Sequence, residues 1–356
     1  MKQRISFYPG PSQVYAEVPI WVQEAYDLGL LSANHRSSEF MSMCEKTIAD
    51  LKEKLEIPAN YGVYFTSSAT ECWEIISQSL VRRSSIHLFS GAFGEKWYGY
   101  ARNIHPESIA HPFDMNERIA VDQLKISKHT ELIALTHNET SNGTQVDMQT
   151  IKHIKEKFPE LLIAVDTTSS LGGVIMDFSL ADVWYGSVQK CFGLPAGLGV
   201  MICSPRAKDR ALAIGEKKHY NSLLSIMQQM ENFQTNYTPN VLGIFLLGKV
   251  AANMAPIRQT HDRIHKRYLD FNQYLTKKTE IHHLIKDKNL QSHTVFPIVA
   301  DPNIILKLKS QASEHKLALG SGYGDLKAST FRIANFPAVP DEGFDRLKLF
   351  LDEHLS

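Results

Sequence analysis

Cysteine is scarce in this chain: four residues in 356, at Cys44, Cys72, Cys191 and Cys203, with no C-x-x-C pair among them. That usage argues against a zinc site or a thiol redox motif and for a reducing compartment. Net charge is missing as well, since 38 Lys and Arg balance 38 Asp and Glu. The bulk balance therefore offers no attraction to nucleic acid or to an anionic membrane surface. The opening residues Met1-Lys2-Gln3-Arg4-Ile5-Ser6-Phe7 lack the apolar run of a signal peptide. No apolar stretch is long enough to span a bilayer, so a cytoplasmic chain is expected. There is no internal repeat or low-complexity segment, and no G-x-G-x-x-G or P-loop motif to support an ordinary nucleotide-binding protein.

What is present is the composition of a globular enzyme, 43% hydrophobic and 21% charged, in a chain long enough for two domains. The middle alternates short apolar runs with amphipathic stretches, which predicts an α/β architecture with a mostly parallel sheet and crossover helices. Strands are expected at 62–65, 86–89, 132–136, 161–165, 183–186 and 199–203, and helices at 44–55, 71–81 and 148–158. Beyond residue 255 the texture changes. A helix at 258–276, strands at 294–299 and 331–335, a helix at 303–315 and a last helix from Pro340 predict a smaller α+β unit. The expected organisation is an N-terminal arm (1–15), a large domain (16–255) and a small C-terminal domain (256–356).

Parallel strands place functional residues at their carboxyl ends. The run Leu161 to Val165 ends in Asp166, and the run Ala181 to Gly186 leads into Ser187-Val188-Gln189-Lys190. This aspartate–lysine pair is what pyridoxal phosphate (PLP) chemistry requires. The amine forms a Schiff base with the cofactor aldehyde, and the carboxylate keeps the pyridine nitrogen protonated so that the ring accepts electrons. A Gly/Pro-rich loop, Cys191 to Gly199, follows the lysine and would bring backbone close to a bound group. Thr66-Ser67-Ser68-Ala69-Thr70-Glu71 opens a helix whose N–H groups and dipole suit a phosphate, although Ser68-x-x-Glu71 is also an ordinary capping box. Leu135 to Gly143 runs from a strand into a polar loop, where a hydroxyl can donate to a cofactor phenolic oxygen; His137 reads as structural. Ser90-Gly91-Ala92-Phe93-Gly94 surrounds an aromatic with small residues, either to lay it flat on a heteroaromatic ring or to fill the core of a turn.

Taken in chain order, these pieces resemble the class V aminotransferases of PLP fold type I. The likeness runs nearly end to end and is nearest to the phosphoserine branch. It passes through Phe7-Tyr8-Pro9-Gly10-Pro11, Asn34-His35-Arg36-Ser37-Ser38-Glu39-Phe40 and Asn138-Glu139-Thr140. It continues through Asp166, Gln189-Lys190, Thr238-Pro239 and Phe331-Arg332-Ile333-Ala334-Asn335. The resemblance implies a homodimer with active sites shared across its interface, moving an amino group between an amino acid and a 2-oxo acid. It implies Lys190 as the cofactor-bearing base, Asp166 at the pyridine nitrogen, Phe93 on the ring and Thr140 at the phenolic oxygen. Ala69, Thr70 and Gln189 would hold the phosphate, with Thr238 reaching it from the partner subunit. His35, Arg36 and Arg332 would bind substrate, Arg332 clamping the α-carboxylate through two hydrogen bonds. Thr238 also reads as the N-cap, and Pro239 as the first residue, of an apolar helix at 241–252.

Three places depart from the phosphoserine branch. Glu71 stands where that branch has an arginine, Tyr237 stands for an asparagine before the threonine, and 321–327 carries no His-Arg pair for a substrate phosphate. A phosphate needs several cationic donors. Phosphoserine and 3-phosphohydroxypyruvate, with glutamate and 2-oxoglutarate, are therefore one expected set of substrates. A non-phosphorylated pair of the alanine– or serine–glyoxylate type is the alternative. The remaining readings are a PLP lyase, by β-elimination or by desulfuration, the latter needing a mobile nucleophilic cysteine for which Cys191 is poorly placed, and a catalytically silent binding protein, against which Lys190, Asp166 and Arg332 together speak.

Overall fold

The computed structural model describes residues 4–355; residues 1–3 and 356, at the two ends of the expected arm and small domain, lie outside the described residues. The chain opens with a short strand, β1 (Ile5–Phe7). A seven-stranded sheet then forms from β2 (Gly62–Thr66), β3 (Ser84–Phe89), β4 (Ile109–Pro112), β5 (Thr130–Thr136), β6 (Leu162–Asp166), β7 (Val183–Ser187) and β8 (Gly199–Cys203). Four later strands, β9 (Ile281–His283), β10 (Val295–Ala300), β11 (Leu317–Ser321) and β12 (Thr330–Ala334), join β1 in a second sheet. Strand β1 pairs in parallel with β11, so the N-terminal arm is stitched into the small sheet.

The order of the large sheet, β2-β8-β7-β6-β5-β3-β4, sets up the functional edge. Strands β3 to β7 pair in parallel, whereas β8 runs antiparallel to both its neighbours. Two reversals restore the direction, so β2 points the same way as the parallel strands. The carboxyl ends of β2, β3, β5, β6 and β7 consequently open on one edge. Register aligns them there: Asp166 faces Thr136 and Tyr185 on either side, and Thr66 and Ser187 both pair with Gly199. Strands β6, β7 and β8 are buried along their whole length, which is why they read as unbroken apolar runs.

Helices cover both faces, and their apolar stripes build one large core, while a second core centred on Phe7, Phe271, Phe296, Phe331 and Phe344 serves the small sheet. The helix Ser38–Leu55 starts six residues before the expected position because Ser37 caps it, accepting from Phe40 N–H at 3.3 Å. Its buried face, Phe40, Cys44, Ile48, Leu51 and Leu55, has helical spacing throughout. The helix Ala92–Ile104 lies outside the sequence expectation altogether, since its first turn is bracketed by Gly91 and Gly94 and looked like a loop. A third correction concerns Thr238. The apolar helix is Val241–Asn253 and its N-cap is Asn240, whose side chain accepts from Gly243 N–H at 2.8 Å; Thr238 is exposed two residues upstream. Asparagine is the better cap, and it outweighs the preference for proline at the first helical position. All four cysteines are buried and unpaired, and among the described residues no single helix is long and apolar enough to cross a membrane.

Candidate active site

A cavity of about 210 Å³ opens at the functional edge, between the strand ends and the small sheet. Lys190, three residues past β7, projects into it and is buried. Its Nζ donates to Thr140 Oγ1 at 2.8 Å and stands 5.4 Å from the centre of the Phe93 ring. The Thr140 hydroxyl in turn donates to Ser169 Oγ at 3.1 Å, and Ser169 to the Asn138 carbonyl at 2.8 Å, so the amine sits at the head of a hydrogen-bonded chain. Burial lowers the Lys190 pKa from its ordinary 10.5 to about 8; the carboxylates of Asp166 and Glu139 resist that shift, and Arg332 adds to it. The stem packs on Gly10, where φ is +151° and a Cβ would come within 2.9 Å of Lys190 Cε. Only glycine satisfies both conditions.

Asp166 closes the floor of the cavity. One carboxylate oxygen accepts from Thr168 N–H at 2.8 Å, and the Trp73 indole and Tyr185 hydroxyl lie buried beside the carboxylate. Burial raises the pKa of the acid; the Thr168 hydrogen bond and the Lys190 charge work against that rise. On the β2 side, Ala69 and Thr70 line the cavity as the first two residues of the helix Ala69–Leu80, and Ala69 N–H donates to Ser187 Oγ at 2.9 Å. Gly199 lets these elements meet, since a Cβ there would lie 2.3 Å from Thr66 Oγ1 and 2.7 Å from the Ser68 backbone. Glu71 has a local task. Its carboxylate accepts from Ser67 N–H at 2.7 Å and Oγ at 2.8 Å and from the Tyr220 hydroxyl at 2.8 Å, while Ser68 Oγ caps the helix.

Arg332 arrives from the small sheet, on β12. The residue is 8% exposed, and its guanidinium donates to two carbonyls at 2.7 Å, Ser321 O through Nε and Thr140 O through Nη1. Three of its five N–H groups remain, and among the described residues no carboxylate lies within 4 Å of it. Burial pulls its pKa down, opposed by Tyr323, Glu139 and Tyr8. A buried guanidinium with no counter-charge is costly unless an anion completes it.

Of the residues singled out in the sequence, the structure gathers Lys190, Asp166, Ala69, Thr70, Phe93, Thr140, Gln189 and Arg332 around this one cavity. It does not bring His35, Arg36 or Thr238 there within the subunit. Arg36 is exposed and donates to Gln234 Oε1 at 2.6 Å and Gln229 Oε1 at 3.1 Å, and His35 packs edge-on against Phe40. Two contributors escaped the sequence. Glu139 is buried and takes Phe93 N–H and Gly94 N–H at 3.2 Å, so its carboxylate supplies the cap that the helix Ala92–Ile104 lacks in its own sequence. Tyr323 lines the cavity, and its ring lies 5.5 Å from the Arg332 guanidinium. Its only signal was its place in the segment that lacks a His-Arg pair.

Residues 6–322 match the family model for class-V aminotransferases. The chain belongs to that family. The phosphoserine aminotransferase of Rhodococcus opacus is 26% identical over 367 residues, covering 96% of this chain and 93% of that one. A crystal structure of a phosphoserine aminotransferase from Cytophaga hutchinsonii is 33% identical, covers 100% of both chains and superposes with a TM-score of 0.94. The alanine–glyoxylate aminotransferase of a Nostoc species has the same fold at 18% identity, with a TM-score of 0.83 over 99% of this chain and 95% of that one. The protein is thus a PLP-dependent transaminase that exchanges an amino group between an amino acid and a 2-oxo acid. Its cavity fits the cofactor. Thr136 Oγ1, Asn138 Oδ1 and Gln189 Oε1 belong to residues lining it and are buried polar atoms without a partner, which a polar ligand would satisfy. Cys191 points elsewhere: its sulfur contacts the Ser169 carbonyl, and burial pushes its thiol pKa up, which disfavours the reactive thiolate a desulfurase would need.

Proposed function

We propose that Lys190, Asp166 and Arg332 divide the work of transamination in this cavity, with a phosphorylated amino acid, phosphoserine, as the amino donor and a 2-oxo acid as the acceptor. The carrying observation is their convergence on one pocket, Asp166 and Lys190 from the ends of the neighbouring strands β6 and β7 and Arg332 from β12 of the other sheet. PLP, when bound, supplies a conjugated ring that accepts the electron pair left as the substrate's Cα–H bond breaks. Asp166, a buried carboxylate tied to Thr168 N–H, would keep the ring nitrogen protonated. Phe93 would face the ring, Thr140 would hold the phenolic oxygen, and the phosphate would be held by Ala69 and Thr70 at a helix N-terminus and by Gln189 from the loop after β7. Arg332 binds the substrate α-carboxylate with the N–H groups left over from Ser321 and Thr140, which orients the Cα–H bond toward Lys190. Lys190 Nζ would take that proton and hold it for return to the substrate-derived group. An amine whose pKa is about 8 is partly neutral near neutral pH and so serves as base and acid in turn.

His35, Arg36 and Thr238 fit this reading as groups lent by a second subunit, which makes the working unit a homodimer. The four buried thiols suit a reducing compartment, the cytoplasm. Phosphoserine is favoured by the full-length likeness to two phosphoserine aminotransferases. A non-phosphorylated substrate is the second reading, and Glu71 favours it by placing a carboxylate where the phosphoserine branch has an arginine. The test is a half-reaction screen of holoenzyme with phosphoserine, glutamate, aspartate, alanine and serine, following oxo-acid release. Release from phosphoserine at least tenfold faster per unit concentration than from serine supports the first reading; the reverse order supports the second.

A further inference from the structure

The site holds one buried cation for the α-carboxylate, and the segment 321–327 has no His-Arg pair to receive a second anion. Lys96 stands where such a group is needed. It lies on the helix Ala92–Ile104, one turn past Phe93, and its stem is exposed. Its ammonium donates to Tyr323 Oη at 2.6 Å and stands over two rings that line the cavity, 5.7 Å from the Phe93 centroid and 5.1 Å from that of Tyr323. Among the described residues no carboxylate lies within 4 Å of it. A lysine ammonium has three donors, and only one is used here.

Distance decides whether one substrate reaches both cations. The Arg332 guanidinium and the Lys96 ammonium lie 5.5 and 5.1 Å from the same Tyr323 ring centre, so they are at most about 10.6 Å apart. An amino acid with a second anionic group on a three- to five-carbon frame spans about 5 Å between its charges by standard bond lengths. Charge-assisted contacts of about 2.8 Å at each end bring the reach to the same value. We propose that Lys96, aimed by the Tyr323 hydroxyl, receives the second anionic group of the substrate, whether phosphate ester or side-chain carboxylate, in place of the missing His-Arg pair. The proposal rests on the amino-transfer reading and adds to it a residue that selects doubly anionic substrates.

The experiment compares wild-type holoenzyme with Lys96→Met, which keeps the apolar stem and removes the charge, and with Lys96→Arg, which keeps the charge. Half-reactions are run with phosphoserine, glutamate, alanine and serine. One lost charge-assisted hydrogen bond predicts that kcat/KM for the doubly anionic substrates falls about 10- to 100-fold in Lys96→Met, chiefly through KM. The loss on alanine and serine should be at least tenfold smaller, and Lys96→Arg should recover most of the difference. Losses confined to phosphoserine assign the site to phosphate; losses shared with glutamate assign it to either anion. Equal losses on anionic and neutral substrates, or none, overturn the subsite while leaving amino transfer intact. Wild-type holoenzyme that converts none of the four amino acids overturns the amino-transfer reading and the subsite together.

Discussion

Cofactor capture by Lys190 provides the most direct check on the electrostatics of the cavity. The neutral amine is the nucleophile, so the rate at which the cofactor-free protein links to added PLP follows the deprotonated fraction of Lys190. With its pKa lowered to about 8 by burial, that fraction is about one tenth at pH 7, one half at pH 8 and nine tenths at pH 9. The rate should therefore rise about fivefold from pH 7 to 8, less than twofold from 8 to 9, and then level off. An exposed lysine at its ordinary value would instead gain about tenfold per pH unit through pH 9.5. Stopped-flow absorbance of the carbon–nitrogen linkage measures this, with a small free amine run in parallel to divide out the cofactor's own titrations. Asp166→Asn adds a second handle, because the Asp166 carboxylate is the largest group holding the Lys190 proton on. Its removal should move the midpoint below that of the wild type. A wild-type rate still climbing tenfold per unit above pH 9, or a midpoint that rises in Asp166→Asn, would refute the assignment of burial and Asp166 as the opposing influences.

Arg332→Gln removes the charged fork and should lower kcat/KM by about 10²- to 10⁴-fold, the equivalent of two charge-assisted hydrogen bonds, seen as a loss of saturation in amino-acid titrations. Asp166→Ala should spare PLP binding far more than turnover, with kcat falling about 10²- to 10³-fold; equal activity by oxo-acid assay would end its proposed role. Glu139→Gln takes the charge from beneath Phe93 N–H and Gly94 N–H, and should cost about 1–3 kcal/mol in denaturant unfolding. Gly199→Ala forces a Cβ to within 2.7 Å of the Ser68 backbone and should cost a similar 1–3 kcal/mol or so, read as a lower urea midpoint at unchanged slope.

Local pattern carried a large share of this protein. Strands β6, β7 and β8 are apolar because both their faces are covered, and that same fact put Asp166 and Lys190 visibly at strand ends. Their type and spacing alone pointed to a PLP site and no further. Capping was legible where the partner lies within three residues, as at Ser68 and Glu71, and misplaced at Thr238, where two neighbouring capping signals competed and only the folded helix chose Asn240. Tertiary structure decided everything that depends on distant partners. Arg332 meets Thr140 across 192 residues, Lys96 meets Tyr323 across 227, and the helix Ala92–Ile104 is capped by Glu139 from 46 residues away. No periodicity records such pairings, because each side chain's local surroundings suit equally well a surface ion pair or a turn. Residue chemistry could name the amine and the acid; only the closing of the two sheets over one edge determined which cations stand beside them.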